Sequence, residues 1–234
     1  MPGPYVIALA ALLFQVATSP TTQPATGPVI VGDSGRRIDL QLQRAAAQGL
    51  AAAVLVAKGD RVILNQGYGL ADRERGIAIG PSTPFIIGSL SKQFTATAVM
   101  ALVADGRLQL DTSIGQLLAA VPADKYPITV RQLLSHTSGL PYLSAPVPDP
   151  SDRAALMNLM LAQRLDTVPG ARYGYSSPGY TILAGIVEQV SGERYEHYVQ
   201  RRLLDRAGLT ATRFIGTRST LTGADAVLHS YTDD

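Results

Sequence analysis

The sequence predicts an α+β fold, with an antiparallel sheet flanked by helices and followed by a mostly helical region. Three observations predict it: an amphipathic segment near the N-terminus, two short apolar runs joined by a turn, and successive helical patterns in the second half. With 234 residues, 46% of them hydrophobic, the chain can form one domain with a substantial core. We expect that domain to cover residues 28–234.

Residues 1–27 differ in character from the rest of the chain. An apolar run at residues 6–14 is followed by a small, polar, proline-bearing stretch. The run is too short to span a bilayer, and its length is typical of the apolar part of a secretory signal. A disordered or buried apolar tail is the alternative. We expect a signal peptide and linker, a secreted or periplasmic location and no stable membrane span.

Composition excludes several classes of function. The formal net charge is only +2, so no face is obviously prepared to bind a nucleic-acid backbone. The chain has no cysteine, which excludes disulfides, zinc–thiolate sites and a thiol nucleophile. Its three histidines are too dispersed to suggest a metal site. We therefore expect no cofactor, no metal and no nucleic-acid partner, and the sequence does not indicate an oligomeric state.

The first half predicts a helix and a hairpin. Apolar residues at helical spacing indicate an amphipathic helix over residues 36–49, which we expect to cover a sheet. Two apolar runs at 50–57 and 61–68 are joined by Lys58-Gly59-Asp60, which has turn composition. A hairpin alone is marginally stable, so we expect further strands or packed helices to complete it.

Capping signals predict the later helices. Thr129 is followed three residues on by Gln132, which is the pattern of a capping box. Ser177 is predicted to be the N-cap of a further helix with Pro178 at its first position, and apolar residues then follow on one stripe. Residues 193–204 indicate a last helix.

Ser89 and Lys92 form an S-x-x-K pattern at the start of a helix that we expect to run from Ser89 to a stop at Asp105-Gly106. Residues three apart share a helix face, so the lysine can reach the serine hydroxyl. The helix N-terminus also favours negative charge on the serine oxygen. A serine needs a neighbouring base to become a strong nucleophile. Ser91 is the rival nucleophile, but it lies one residue before the lysine and should point away from it.

Four segments, in this order, resemble the class C β-lactamase and esterase-type serine hydrolases, within the serine β-lactamase and penicillin-binding-protein superfamily. They lie at residues 85–95, 106–111, 128–140 and 178–192. The similarity extends over about residues 30–212. It implies a β-lactamase/transpeptidase-like fold and a serine hydrolase that forms an acyl-enzyme at Ser89.

The family's second motif, Tyr-x-Asn, corresponds here to Tyr175-Ser176-Ser177. The resemblance implies that Tyr175 sits over the serine and lysine and moves the proton between nucleophile and leaving group. Ser177 replaces the asparagine and is the candidate substrate-binding residue, with a shorter side chain and fewer hydrogen bonds to offer. The alternative for Tyr175 is simple aromatic packing beside Tyr173 and Tyr180.

His136 could suggest a Ser-His-Asp triad, because neutral imidazole is the usual base for serine. The sequence contains no G-x-S-x-G elbow, and residues 136–140 resemble a structural turn of the family rather than its base. We therefore do not assign catalysis to His136. His197 and His229 are expected to be exposed.

The family's third motif, Lys-Thr-Gly or His-x-Gly on a late strand, does not occur before Asp234. In the family that strand donates one backbone N–H to the oxyanion hole, and losing such a donor lowers turnover about a hundred- to a thousandfold. We expect C-terminal strands to be missing. The predicted activity is hydrolysis of a β-lactam, a D-alanyl peptide or a carboxylic ester, with a small molecule or peptide as the partner. The alternatives are a truncated or noncatalytic penicillin-binding-like homologue and a fragment of a longer gene product.

Overall fold

The computed structural model describes residues 27–142 and 152–214. Nearly all of the predicted signal peptide and linker, and also His229, lie outside these ranges. The chain divides into two compact units, with the boundary between Phe85 and Ile86. No helix within the described ranges is long and apolar enough to cross a membrane.

The first unit is built on a three-stranded antiparallel sheet. Its strands are β1 (Val29–Ile30), β2 (Ala52–Lys58) and β3 (Arg61–Tyr68), in the order β1, β3, β2. The predicted hairpin of β2 and β3 is confirmed, and Gly59 in its turn has a φ of +58°, which glycine adopts without strain. Further strands or packed helices were expected to complete the hairpin, but the position of β1 was not predicted. Two short strands, β4 (Leu70–Asp72) and β5 (Ile77–Ala78), form a separate pair.

Helix α1 (Gly32–Ala46) packs against β3, as expected for a helix that covers a sheet. Gly35 permits the close approach, since a Cβ atom there would lie 2.5 Å from the Ile63 carbonyl oxygen. The buried carboxylate of Asp39 accepts a hydrogen bond from the Tyr68 hydroxyl at 2.8 Å, joining helix to strand. The helix begins before the predicted residue 36 and ends in a turn over the last predicted residues.

The second unit is helical around one core. Its helices are α2 (Ser91–Ala104), α3 (Ile114–Leu117), α4 (Val130–Leu134), α5 (Arg153–Ala162), α6 (Ser177–Ser191) and α7 (Tyr195–Val199). Helix α6 is the central element and packs against the other five. In its predicted apolar stripe, Ile182, Leu183, Ile186 and Val187 are fully buried and Val190 is partly buried.

Several helix ends differ from the predictions. The Thr129–Gln132 capping box at the start of α4 is confirmed in both of its hydrogen bonds. The helix predicted from Ser89 begins at Ser91, after a 3₁₀ turn over Gly88–Leu90. The predicted last helix divides into α7 and a π-helical turn over Gln200–Leu204.

The burial of side chains in the core predicts that two substitutions in α2 will affect stability differently. Leu102 is fully buried and Met100 is 38% exposed. Leu102→Ala should lower the free energy of unfolding by about 2–5 kcal/mol, because it removes buried methyl groups and leaves a cavity. Urea denaturation measures the change, and Met100→Ala is the matched control. Equal losses from the two substitutions would contradict the described packing.

Candidate active site

Ser89 lies just before the first residue of α2, and Lys92 lies just after it. Gly88, just before the serine, has a φ of +50°, a left-handed conformation that favours glycine. Lys92 is the second residue of α2, and its Nζ atom donates a hydrogen bond to Ser89 Oγ at 3.2 Å. The serine is exposed and the lysine half-buried. The predicted spacing therefore brings the nucleophile candidate and its amine together.

Tyr175 reaches the same serine from a distant part of the chain. Its hydroxyl donates to Ser89 Oγ at 2.9 Å. The hydrogen bond to Lys92 and that to Ser89 lower the pKa of Tyr175, and the nearby lysine charge adds to the effect. A lower pKa means that the phenolate, which can accept a proton, is easier to form. The Ser89 hydroxyl is hydrogen-bonded to both Lys92 and Tyr175. The rival Ser91 is an exposed residue at the first position of α2.

The start of α6 corrects the predicted cap. Ser176, not Ser177, is the N-cap: its backbone is extended, and its hydroxyl accepts a hydrogen bond from the Gly179 N–H at 3.2 Å. Ser176 also donates to the Pro141 carbonyl at 3.0 Å and is 1% exposed. Both serines satisfy the local capping pattern, and this contact distant in sequence favours Ser176.

Because Ser177 is not used as the cap, its hydroxyl is available to the site. Lys92 Nζ donates to Ser177 Oγ at 3.5 Å, so the lysine contacts two serine hydroxyls on two helices. Aromatic rings line the same amine, which lies 5.0 Å from the Tyr175 ring centroid and 5.7 Å from that of Tyr180. Hydroxyls and ring faces thus surround Lys92.

His136 lies beside Tyr175, a neighbour that its sequence position did not reveal. Their ring centroids are 4.6 Å apart, and His136 Nδ1 accepts a hydrogen bond from the Ser176 N–H at 3.1 Å. Burial lowers the pKa of His136, and the charge of Lys92 lowers it further. Forty positions separate His136 from Ser176 in the sequence, so no local pattern could have indicated the contact.

The structure thus brings together the four predicted site residues Ser89, Lys92, Tyr175 and Ser177. The aromatic packing considered for Tyr175 is also present, with His136 and Tyr142 as ring neighbours. His197 is exposed, as predicted. Among the described residues, no three His, Asp or Glu side chains are grouped so that they could hold a metal ion.

Comparison with known proteins identifies the family of the chain. The family model "Beta-lactamase" matches residues 40–229, which is most of the chain. The chain belongs to the beta-lactamase family. Among its relatives, PbpX of Bacillus subtilis (strain 168) is 32% identical over 173 residues. That match includes 72% of this chain but only 42% of PbpX, so the chain spans about two fifths of that relative's length.

Solved structures support the predicted β-lactamase/transpeptidase-like fold. The penicillin binding protein from Bacillus halodurans aligns with a TM-score of 0.68 and 27% identity, over 81% of this chain and 60% of that one. EstCE1, described as a hydrolase with promiscuous acyltransferase activity, aligns with a TM-score of 0.70 and 26% identity, over 85% of this chain and 57% of that one. This beta-lactamase-family chain therefore has the predicted β-lactamase/transpeptidase-like fold.

The corrected cap predicts that two adjacent serines of this beta-lactamase-family chain contribute differently to its stability. Ser176→Ala should lower the free energy of unfolding by about 0.5–2 kcal/mol, because it removes the cap of α6. Ser177→Ala should change it by less than about 0.5 kcal/mol. Urea denaturation of both variants measures the difference. A larger loss for Ser177→Ala would return the cap to that residue.

The environment of Tyr175 predicts an unusually acidic phenol. In a spectroscopic titration of phenolate absorbance, the difference between the wild-type protein and Tyr175→Phe should have its midpoint below the ordinary value of about 10. Lys92→Gln should raise that midpoint, because the lysine contact is the largest cause of the lowered pKa. The exposed Lys58 offers the control Lys58→Gln, which should leave the midpoint unchanged. A midpoint insensitive to Lys92 would contradict this assignment.

Proposed function

We propose that this chain carries the acylation site of a serine hydrolase in which Ser89 is the nucleophile. One observation carries the proposal: Ser89 Oγ lies within hydrogen-bond distance of both Lys92 Nζ and the Tyr175 hydroxyl. Two groups that can exchange a proton therefore meet at one exposed serine oxygen. Such a serine, adjacent to a base, is the arrangement expected of covalent catalysis.

In the proposed acylation, Ser89 Oγ attacks the carbonyl carbon of the substrate and forms a new C–O bond. Its proton passes to the Tyr175 phenolate, either directly or through the amine of Lys92. When the bond from the carbonyl carbon to the leaving group breaks, Tyr175 returns a proton to that group. The dipole of α2 and its free N–H groups favour the negative charge that develops near the serine.

Deacylation would use the same residues in reverse. Water attacks the acyl carbon and its proton passes to Tyr175 or Lys92. That residue then returns the proton to Ser89 Oγ as the ester bond breaks, which releases the acid and restores the hydroxyl. We propose a β-lactam, a D-alanyl peptide or a carboxylic ester as the substrate. The likeness to EstCE1, a hydrolase that also transfers acyl groups, supports acyl chemistry without deciding among these three.

Ser177 supports a second candidate, a penicillin-binding-like protein that acylates slowly or not at all. The family's asparagine can donate and accept hydrogen bonds at once, whereas the serine hydroxyl offers a single donor on a shorter side chain. In this chain that hydroxyl already receives a hydrogen bond from Lys92. A substrate amide would therefore be held less firmly than in a protein with the full motif.

The apolar run at residues 6–14 supports a proposed export signal, and the protein would then act outside the cytoplasm. That setting suits the proposed chemistry, because penicillins and cell-wall peptides are found there. N-terminal sequencing of the protein recovered from the culture medium or periplasm would test this, and a product that retains Met1 in the cytoplasm would contradict it.

Acylation of Ser89 is tested by intact-mass spectrometry after incubation with a fluorescent penicillin and, separately, with a fluorophosphonate. We expect one adduct per chain, mapping to Ser89. Ser89→Ala should abolish it, and Lys92→Ala should suppress it near neutral pH because the base is lost.

Ser91→Ala is the matched control, since Ser91 is an exposed serine two residues from the nucleophile. It should keep most of the labelling. Labelling that is lost in Ser91→Ala but kept in Ser89→Ala would overturn the assignment. A wild-type protein that circular dichroism reports as folded, but that neither probe labels, would favour the noncatalytic candidate.

A further inference from the structure

We propose that His136 is a positioning residue for Tyr175: its neutral imidazole and its backbone hold the segment on both sides of the phenol, and so keep the hydroxyl at Ser89. This inference rests on the proposed function, because it assigns His136 a part in the acylation of Ser89. It differs from a Ser-His-Asp scheme, since His136 takes no proton from the nucleophile and acts through Tyr175.

His136 forms hydrogen bonds with the residues on both sides of Tyr175 in the sequence. Its carbonyl oxygen accepts a hydrogen bond from the Gly174 N–H at 2.8 Å. Its Nδ1 atom accepts one from the Ser176 N–H at 3.1 Å. The residues immediately before and after Tyr175 are therefore both bound to one histidine, which restricts the backbone from which the phenol extends.

The imidazole ring also contacts the aromatic side chains of this segment. It lies 4.6 Å from the Tyr175 centroid and 4.9 Å from the Tyr180 centroid, tilted by 31° and 32°. Tyr173 approaches with its ring edge, at 5.8 Å. Tyr180 is itself fixed, because its hydroxyl donates to the Leu134 carbonyl at 3.0 Å. The ring of His136 therefore contacts both the fixed ring of Tyr180 and the phenol of Tyr175.

The backbone of His136 limits which residues can replace it. Its φ is +57°, in the left-handed region that non-glycine residues rarely adopt. Asparagine is among the side chains best tolerated there, and its Oδ1 atom can accept a hydrogen bond much as Nδ1 does. Asparagine, however, does not titrate. His136→Asn is therefore a conservative replacement that keeps the acceptor and removes the proton equilibrium.

Protonation of His136 would break the arrangement. Nδ1 would become a donor facing the Ser176 N–H, and the ring would carry a positive charge near Lys92. The titratable groups that face the ring are the phenols of Tyr173, Tyr175 and Tyr180, together with Lys92 through its charge. Burial and Lys92 both favour the neutral ring, consistent with a pKa of His136 below its usual value.

The test measures two quantities in wild type, His136→Ala and His136→Asn. The first is the rate constant for labelling of Ser89 by a fluorophosphonate, followed by intact mass between about pH 5 and pH 8, a range that includes the ordinary imidazole pKa. The second is the phenolate titration of Tyr175, taken as a difference from the same protein with Tyr175→Phe. This second readout does not require any acylation.

We expect His136→Ala to slow labelling by about tenfold to a hundredfold near neutral pH, the scale of loss when a reacting group is displaced by roughly 1 Å. It should also raise the Tyr175 midpoint towards the ordinary phenol value, since the hydroxyl moves away from Lys92. His136→Asn should restore the rate to within about threefold of wild type, because the acceptor that positions Tyr175 is kept. Protonation of Lys92 and Tyr175 lowers the rate of both proteins on the acid side, whereas protonation of His136 lowers that of wild type alone. The ratio of the wild-type rate to the His136→Asn rate should therefore fall as the pH is lowered.

Wild-type rates and an unchanged Tyr175 midpoint in His136→Ala would overturn the proposal, and so would a ratio of wild-type to His136→Asn rates that does not change with pH. Should His136→Ala fail to fold by circular dichroism, the pH profile of His136→Asn still decides the matter. If the wild-type protein is not labelled at all, the proposed acylation fails, while the Tyr175 titration separately decides whether His136 positions the phenol.

Discussion

One buried hydroxyl, that of Ser176, fixes the part of the structure on which the site depends. It caps α6 through the Gly179 N–H and ties that helix to the Pro141 carbonyl. Ser176 is 1% exposed, so its hydroxyl has no water to replace a lost partner, and an unsatisfied buried polar group costs about 1–3 kcal/mol. Tyr175 and Ser177 are its two neighbours in the chain. The direction in which each leaves the backbone is therefore set by a residue that takes no part in the chemistry.

The hydrophobic core holds in place the two helices that carry Lys92 and Ser177. The buried stripe of α6 packs against α2, whose side chains Ala98, Val99 and Leu102 are fully buried in the same cluster. Lys92 belongs to α2 and Ser177 to α6, so the contact between the two helices fixes the distance between them. Functional side chains on packed helices are held more precisely than side chains on loops.

Much of this was predictable because its causes are local. The hairpin follows from two apolar runs and a glycine turn, the capping box from two residues three apart, and the pairing of Ser89 with Lys92 from helical spacing. The resemblance to a known family added Tyr175, which no local rule would have joined to Ser89. Predictions failed where a distant contact decided the outcome. Ser177 was predicted to cap α6, but Ser176 is the cap, and its hydroxyl also donates to the distant Pro141 carbonyl.

The missed features have the same origin. Strand β1 is only two residues long, and its pairing with β3 gives it its structure, so it carries no pattern of its own. His136 looked like part of a turn because its left-handed backbone and its sequence neighbours do form one. Its contacts with the tyrosine segment come from chain folding, which brings together residues 40 positions apart.

The site is assembled from segments far apart in sequence, since 86 positions separate Ser89 from Tyr175. Contacts of this range form only after a long loop has closed and the helices between have packed. A partly folded chain can contain the serine and lysine turn without the phenol above it. Under the proposed function, an acylating probe therefore reacts quickly only with folded molecules. The number of chains that it modifies measures how many molecules are in the native state. A destabilising substitution in the core would reduce that number while leaving the reaction rate of each folded molecule unchanged.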